Sequence, residues 1–60
     1  MRYELSTKNG RTWDLQELIF AENDEAAMVF AERAINQRAM MMMKIGVALL
    51  QDNRIVKRYK

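Results

Sequence analysis

An α+β fold, a single small ββαββ domain with a four-stranded antiparallel sheet packed on one helix, is what this sequence predicts. Three observations lead there. An Asn9-Gly10 pair separates two apolar-patterned segments, Asn23-Asp24-Glu25 opens a stretch with helical periodicity, and two further apolar segments flank Gln51-Asp52-Asn53. Asn-Gly is a strong hairpin signal, Asn followed by two carboxylates is a helix start, and Asp-Asn tolerates the backbone of a tight turn.

The first hairpin is expected over residues 2–21. Tyr3, Leu5 and Thr7 alternate with Arg2, Glu4 and Ser6, the period of two of a strand with one buried face. The turn at Lys8-Asn9-Gly10-Arg11 is expected to hold both Asn9 and Gly10 at positive φ. Beyond it, Trp13 and Leu15 share one parity and Leu18 and Phe20 the other, so a single strand needs a bulge near Gln16-Glu17. Residues 14–21 also suit a helix, with Leu15, Leu18 and Ile19 at helical spacing; against this, the first strand would then lack a partner. Trp13 and Tyr3 are expected to face each other in the core, because a domain this small needs its large aromatics inside.

The helix is expected over residues 24–38. Asn23 supplies the N-cap, and Asp24 and Glu25 sit at the positive end of the helix dipole. At about 100° per residue, Ala27, Phe30, Ala31, Ala34 and Ile35 gather on one face, opposite Glu32, Arg33, Asn36 and Gln37. Three alanines on the inward face bring the helix close to the sheet. Arg38 would fall in the middle of that face, so the helix ends near it or the arginine stem runs along the apolar surface to water. Segments 45–50 and 54–59 then form the second hairpin, residues 45–59.

Sixty residues make one domain, and a chain of this length hides only about 60% of the surface that it exposes unfolded. The usual supplements to so small a core are missing: there is no cysteine for a disulfide, no histidine for a zinc site and no proline to stiffen a loop. Self-association remains, which predicts a homodimer or an obligate protein partner. The first residues lack the basic-then-apolar pattern of a signal peptide, and the run from Met40 to Leu50, interrupted by Lys44, falls short of the ~20 residues that span a bilayer. A cytoplasmic protein without membrane contact is the expectation.

Without His or Cys the commonest general base and the thiolate nucleophile are missing, so a non-enzymatic protein is expected, with no cofactor, metal or small-molecule substrate. Glu22, Asp24 and Glu25 match no calcium loop and read as helix capping. Gly10 and Gly46 stand alone and cradle no phosphate.

Two features remain as candidate binding surfaces. Met40, Met41, Met42 and Met43, with Ile45, form a flexible apolar stretch that cannot all point inward, and core filling competes there with a partner interface. Arg54, Lys57, Arg58 and Lys60 with Tyr59 form a candidate basic patch, read either as phosphate contacts with a stacking aromatic or as a solvated edge strand that resists unwanted pairing. Charge is uneven: residues 1–30 carry three cations against six carboxylates, residues 31–60 seven against two. Such asymmetry suits an acidic partner or head-to-tail pairing.

The Tyr3-x-Leu5 strand, the Asn-Gly turn, Phe20-Ala21-Glu22-Asn23-Asp24-Glu25-Ala26-Ala27 and the basic final hairpin resemble the tiny ββαββ proteins of phages and prophages, some anti-CRISPR proteins among them. The resemblance implies an inhibitor or regulator that docks on a host protein. The net charge of +2 departs from the acidic, nucleic-acid-mimicking members of that group and speaks against DNA mimicry. A homodimeric protein-interaction module is thus the leading expectation, and a nucleic-acid-binding module using the basic strand the alternative.

Overall fold

The computed structural model describes residues 1–43 and 45–60. Its elements run β1 (Arg2–Asn9), β2 (Thr12–Phe20), α1 (Asp24–Gln37), the single turn α2 (Met40–Met43), β3 (Val47–Gln51) and β4 (Arg54–Arg58). The strands pair antiparallel in the order β2-β1-β3-β4, and α1 packs on one side of the sheet. Residues 14–20 are therefore strand, not helix.

Composition explains which strands lie inside. Val47-Ala48-Leu49-Leu50 is apolar without alternation, as a strand flanked on both sides tends to be, and all four are buried. Charged residues mark both edge strands, Asp14 and Glu17 on β2 and Arg54, Lys57 and Arg58 on β4, while the charges of the central strand β1, Arg2, Glu4 and Lys8, all fall on the face away from the core. Each edge strand also holds one extra residue. Leu5 pairs with Glu17 and Ser6 with Leu15, leaving Gln16 as the bulge that the two parities of β2 require. Leu49 pairs with Lys57 and Leu50 with Ile55, leaving Val56 to turn against the core.

The turns differ from expectation. Asn9 pairs with Thr12 as the last residue of β1, and only Gly10, at φ 65°, is left-handed. One positive φ at the first central residue is the type II′ pattern, so the turn is centred on Gly10-Arg11 and Asn9 is spared the strained conformation. The turn with two positive φ values is the second one, at Asp52 (51°) and Asn53 (63°), where short polar side chains tolerate them.

Helix α1 begins as the sequence dictates, with the Ala26 amide donating to Asn23 Oδ1 at 2.9 Å. It ends at Gln37, one residue short of the expected boundary, with Arg38 as C-cap and Ala39 beyond it at φ 52°. Arg38 leaves the apolar face altogether and donates to the backbone oxygen and Oε1 of the bulged Gln16, at 3.3 and 3.4 Å. Ala27, Ala31, Ala34 and Ile35 are buried, but Phe30 is half exposed. Small side chains draw the helix axis toward the sheet and centre the buried stripe on themselves, which puts Phe30 about 85° off that centre.

The core joins Tyr3 and Leu5 of β1, Ile19 of β2, Val47 and Leu49 of β3, the four buried helix residues and Met40. The Tyr3 hydroxyl donates to Asp24 Oδ1 at 2.7 Å, tying the central strand to the first residue of the helix. Trp13 does not join Tyr3. It pairs with Lys8, whose side chain points to the opposite face of β1 from Tyr3. The two aromatics stand on opposite sides of the sheet because the turn closes at Asn9 and Thr12, which pairs Trp13 with Lys8, five residues from Tyr3 on the same unbroken strand.

Candidate functional site

Because α1 covers one face of the sheet, the other face consists of side chains from the strands alone. On β1 these are Arg2, Glu4, Ser6 and Lys8, the parity opposite to Tyr3 and Leu5. The register sets their neighbours in cross-strand rows. Leu18, Glu4, Leu50 and Ile55 form one row, Leu15, Ser6, Ala48 and Arg58 the next, and Trp13 and Lys8 close one end beside Gly46.

The row structure produces an apolar surface with a particular relief. Leu15, Leu18 and Ile55, on the two edge strands, are 51%, 42% and 45% exposed. Between them, Ser6, Ala48 and Leu50 are buried, covered by the side chains of flanking strands and by no second layer. The result is a shallow trough with large aliphatic walls and a mixed floor of Glu4, Ser6, Ala48 and Leu50. Charges border it: Arg2 pairs with Glu4 at 3.6 Å at one end, with Asp52 and Asn53 of the second turn beside them. At the other end Lys8 Nζ lies 5.0 Å and the Arg58 guanidinium 5.6 Å from the centre of the Trp13 ring. Gly46 makes room for this cluster; a Cβ there would come within 2.8 Å of Lys8 Cβ and 3.5 Å of Trp13 Cη2.

The methionine stretch does not form one surface. Met40 is buried in the core, so it is removed from the candidate interface; one turn of helix from Met40 turns it beneath α1. Met41 is partly exposed, and Met42 and Ile45 are strongly so. The Met43 side chain lies outside what is described. Ile45 precedes β3, which starts at Val47, two residues later than expected, where pairing with Thr7 of β1 begins.

The basic stretch is dispersed. Arg58 projects from the open face beside Trp13, whereas Lys57 stands opposite Leu49 on the helix side, in a groove with Glu32, Ile35, Asn36, Met41 and Tyr59. Arg54 donates to Gln51 Oε1 at 3.1 Å, and Lys60 Nζ to the Met41 carbonyl at 2.5 Å. Tyr59, expected as a stacking surface, packs against the core instead, and its buried hydroxyl meets no hydrogen-bond partner among the described residues. Burial, reinforced by the nearby Glu32 carboxylate, raises its pKa above the ordinary tyrosine value. Tyr3 is shifted the same way by burial and by its bond to Asp24.

The open face is hard to read from the sequence because Leu15 and Leu18 fall on one side only after the Gln16 bulge is placed, and Arg58 joins them only after the Val56 bulge. The parity change in β2 was legible; the extra Val56 in β4 was not. Among the described residues no three acidic groups stand close enough to hold a metal ion, and no helix is long and apolar enough to cross a membrane. Comparison with protein-family models, with curated proteins and with solved structures finds no match for the chain.

Proposed function

We propose that this protein is a non-enzymatic protein-interaction module that docks through the open face of its sheet. The carrying observation is a pair of aliphatic ridges, Leu15 with Leu18 on β2 and Leu50 with Ile55 on β3 and β4, set either side of Glu4 and Ser6 of β1 on a face that no layer of the fold covers. Scattered exposed aliphatics are ordinary on small proteins; two aliphatic ridges on one rigid sheet face, edged by a cation-rich aromatic cluster, have the anatomy of an interface. Absence of His and Cys supports a binding role over a catalytic one. Dispersal of Arg54, Lys57, Arg58 and Lys60 over separate places speaks for a polypeptide partner rather than a nucleic acid. An inhibitor or regulator of a host protein, as the phage-type resemblance implies, is one form that this role takes.

Site-specific photo-crosslinking tests the reading. A benzophenone side chain at Leu18 is expected to yield discrete polypeptide adducts in cells that naturally carry the protein, and one at the exposed helix position Glu25 is not. Adducts to nucleic acid alone, or none from position 18, would overturn it.

A further inference from the structure

We infer that the polypeptide covering the open face is a second copy of this chain, with the two sheets stacked about a two-fold axis that runs along the strands. The inference rests on the docking surface proposed above and adds its occupant.

Four strands at about 4.8 Å spacing and five to nine residues at about 3.3 Å rise give this face a footprint of roughly 19 × 20 Å. Side chains projecting from it bury roughly 500–700 Å² per copy, or roughly 1,000–1,400 Å² in total, which reaches the lower part of the range for specific, stable interfaces. Nearly the whole face is then consumed. A second copy also supplies what the fold lacks, another apolar layer about 10 Å away, as in a β-sandwich.

The choice of axis follows from the rows. Rotation about an axis along the strands lays β2 of one copy over β4 of its partner and β1 over β3. Leu18 then meets Ile55 of the partner subunit, and this contact occurs twice, with Leu15 against the aliphatic stem of the partner's Arg58 and Glu4, paired with Arg2 of its own chain, over the partner's Leu50. At the end of the trough Arg2 comes over the Asp52 turn, and again the contact is doubled. An axis across the strands would instead stack Arg2 on the partner's Lys8, placing like charges where the first arrangement sets Arg2 over the partner's Asp52.

The chain has no cysteine, which makes the test clean. Leu18 and Ile55 stand on opposite edge strands, three strand spacings or roughly 14 Å apart, beyond the reach of a disulfide within one chain. The double variant L18C/I55C is therefore expected to oxidise to a disulfide-linked dimer, while L18C and I55C alone stay unlinked. Sedimentation of the unsubstituted protein is expected to show a dimer across a concentration series, and Leu18→Glu to convert it to a monomer with unchanged circular dichroism. If Leu18→Glu does not fold, the cysteine pair decides. A monomer at every concentration, a dimer that survives Leu18→Glu, or single variants that link as well as the double one would each overturn the inference. A monomer that still yields adducts from position 18 to a foreign polypeptide overturns the self-pairing alone; a chain that yields no polypeptide adduct in cells and does not dimerise loses the docking surface as well.

Discussion

The two faces of one sheet are built from the same strands and differ in what lies above them. Under α1, Tyr3, Leu5, Ile19, Val47 and Leu49 interlock with alanines and Ile35 of the helix. On the open side, Ser6, Ala48 and Leu50 are almost as deeply buried, yet only neighbouring side chains shield them. Low exposure therefore does not by itself mark the core of a thin domain. What marks it is a second layer, since atoms facing a packed layer lose contacts on substitution and atoms facing water do not.

Substitutions of similar residues on the two faces test this most strongly. Leu5→Ala or Leu49→Ala removes a fully buried side chain from between two layers and is expected to cost about 2–5 kcal/mol, a large part of the ~3–9 kcal/mol that a domain of this length holds. Leu15→Ala, at a protein concentration low enough to keep the chain monomeric, is expected to stay within about 0.5 kcal/mol. Urea unfolding of the three variants compares them directly. Equal losses on both faces would show that the open face is packed after all.

Gly46 probes the margin of the open face. A methyl group there would press on Lys8 Cβ at 2.8 Å, on a central strand that cannot yield freely, so Gly46→Ala is expected to cost about 1–3 kcal/mol. An unchanged melting curve would mean that the Lys8-Trp13 cluster slides aside without loss.

The tyrosines sharpen the comparison from the covered side, where one hydroxyl is satisfied and the other is not. Tyr3→Phe deletes the bond to Asp24 and is expected to lower the Tm by roughly 4–8 °C. Tyr59→Phe removes a buried hydroxyl without a partner and is expected to leave the Tm unchanged or raise it. Both pKa values are raised by folding, so the unfolded chain gives up these protons first as pH rises. Their contribution to stability is complete below about pH 10 and declines above it. Urea midpoints from pH 8 to 11 are expected to fall at the alkaline end, and less steeply in the double Phe variant. An identical slope in that variant would assign the alkaline loss to other groups.

The faces were partly legible beforehand. Asn23 with its two following carboxylates announced the helix because capping is a local interaction. Trp13, Leu15, Leu18 and Phe20 announced a bulge because their parity cannot be reconciled without one. Neither observation fixes a face. Periodicity places Phe30 inward because it gives an angle and not the depth to which small neighbours draw the helix, and the side of Trp13 depends on which residues close the turn, which the Asn-Gly pair alone does not fix. Four identical methionines carry no period at all, so the burial of Met40 and exposure of Met42 depend on tertiary packing alone.

The smallest expected effect lies at the rim of the open face. Trp13 is the chain's sole tryptophan, and its ring has Lys8 and Arg58 within cation-π range while remaining partly exposed. Such a contact is worth about 0.5–1 kcal/mol at an exposed site. A double-mutant cycle with Arg58→Ala and Trp13→Leu, read in urea at low concentration, is expected to return a coupling of that size, since both residues also make contacts that the cycle cancels. A coupling near zero would mean that Trp13 is held by packing on Gly46 and Lys8 alone. In that event the guanidinium of Arg58, which also donates to the Lys60 carbonyl at 3.0 Å, is oriented by the backbone of its own strand end rather than by the aromatic ring.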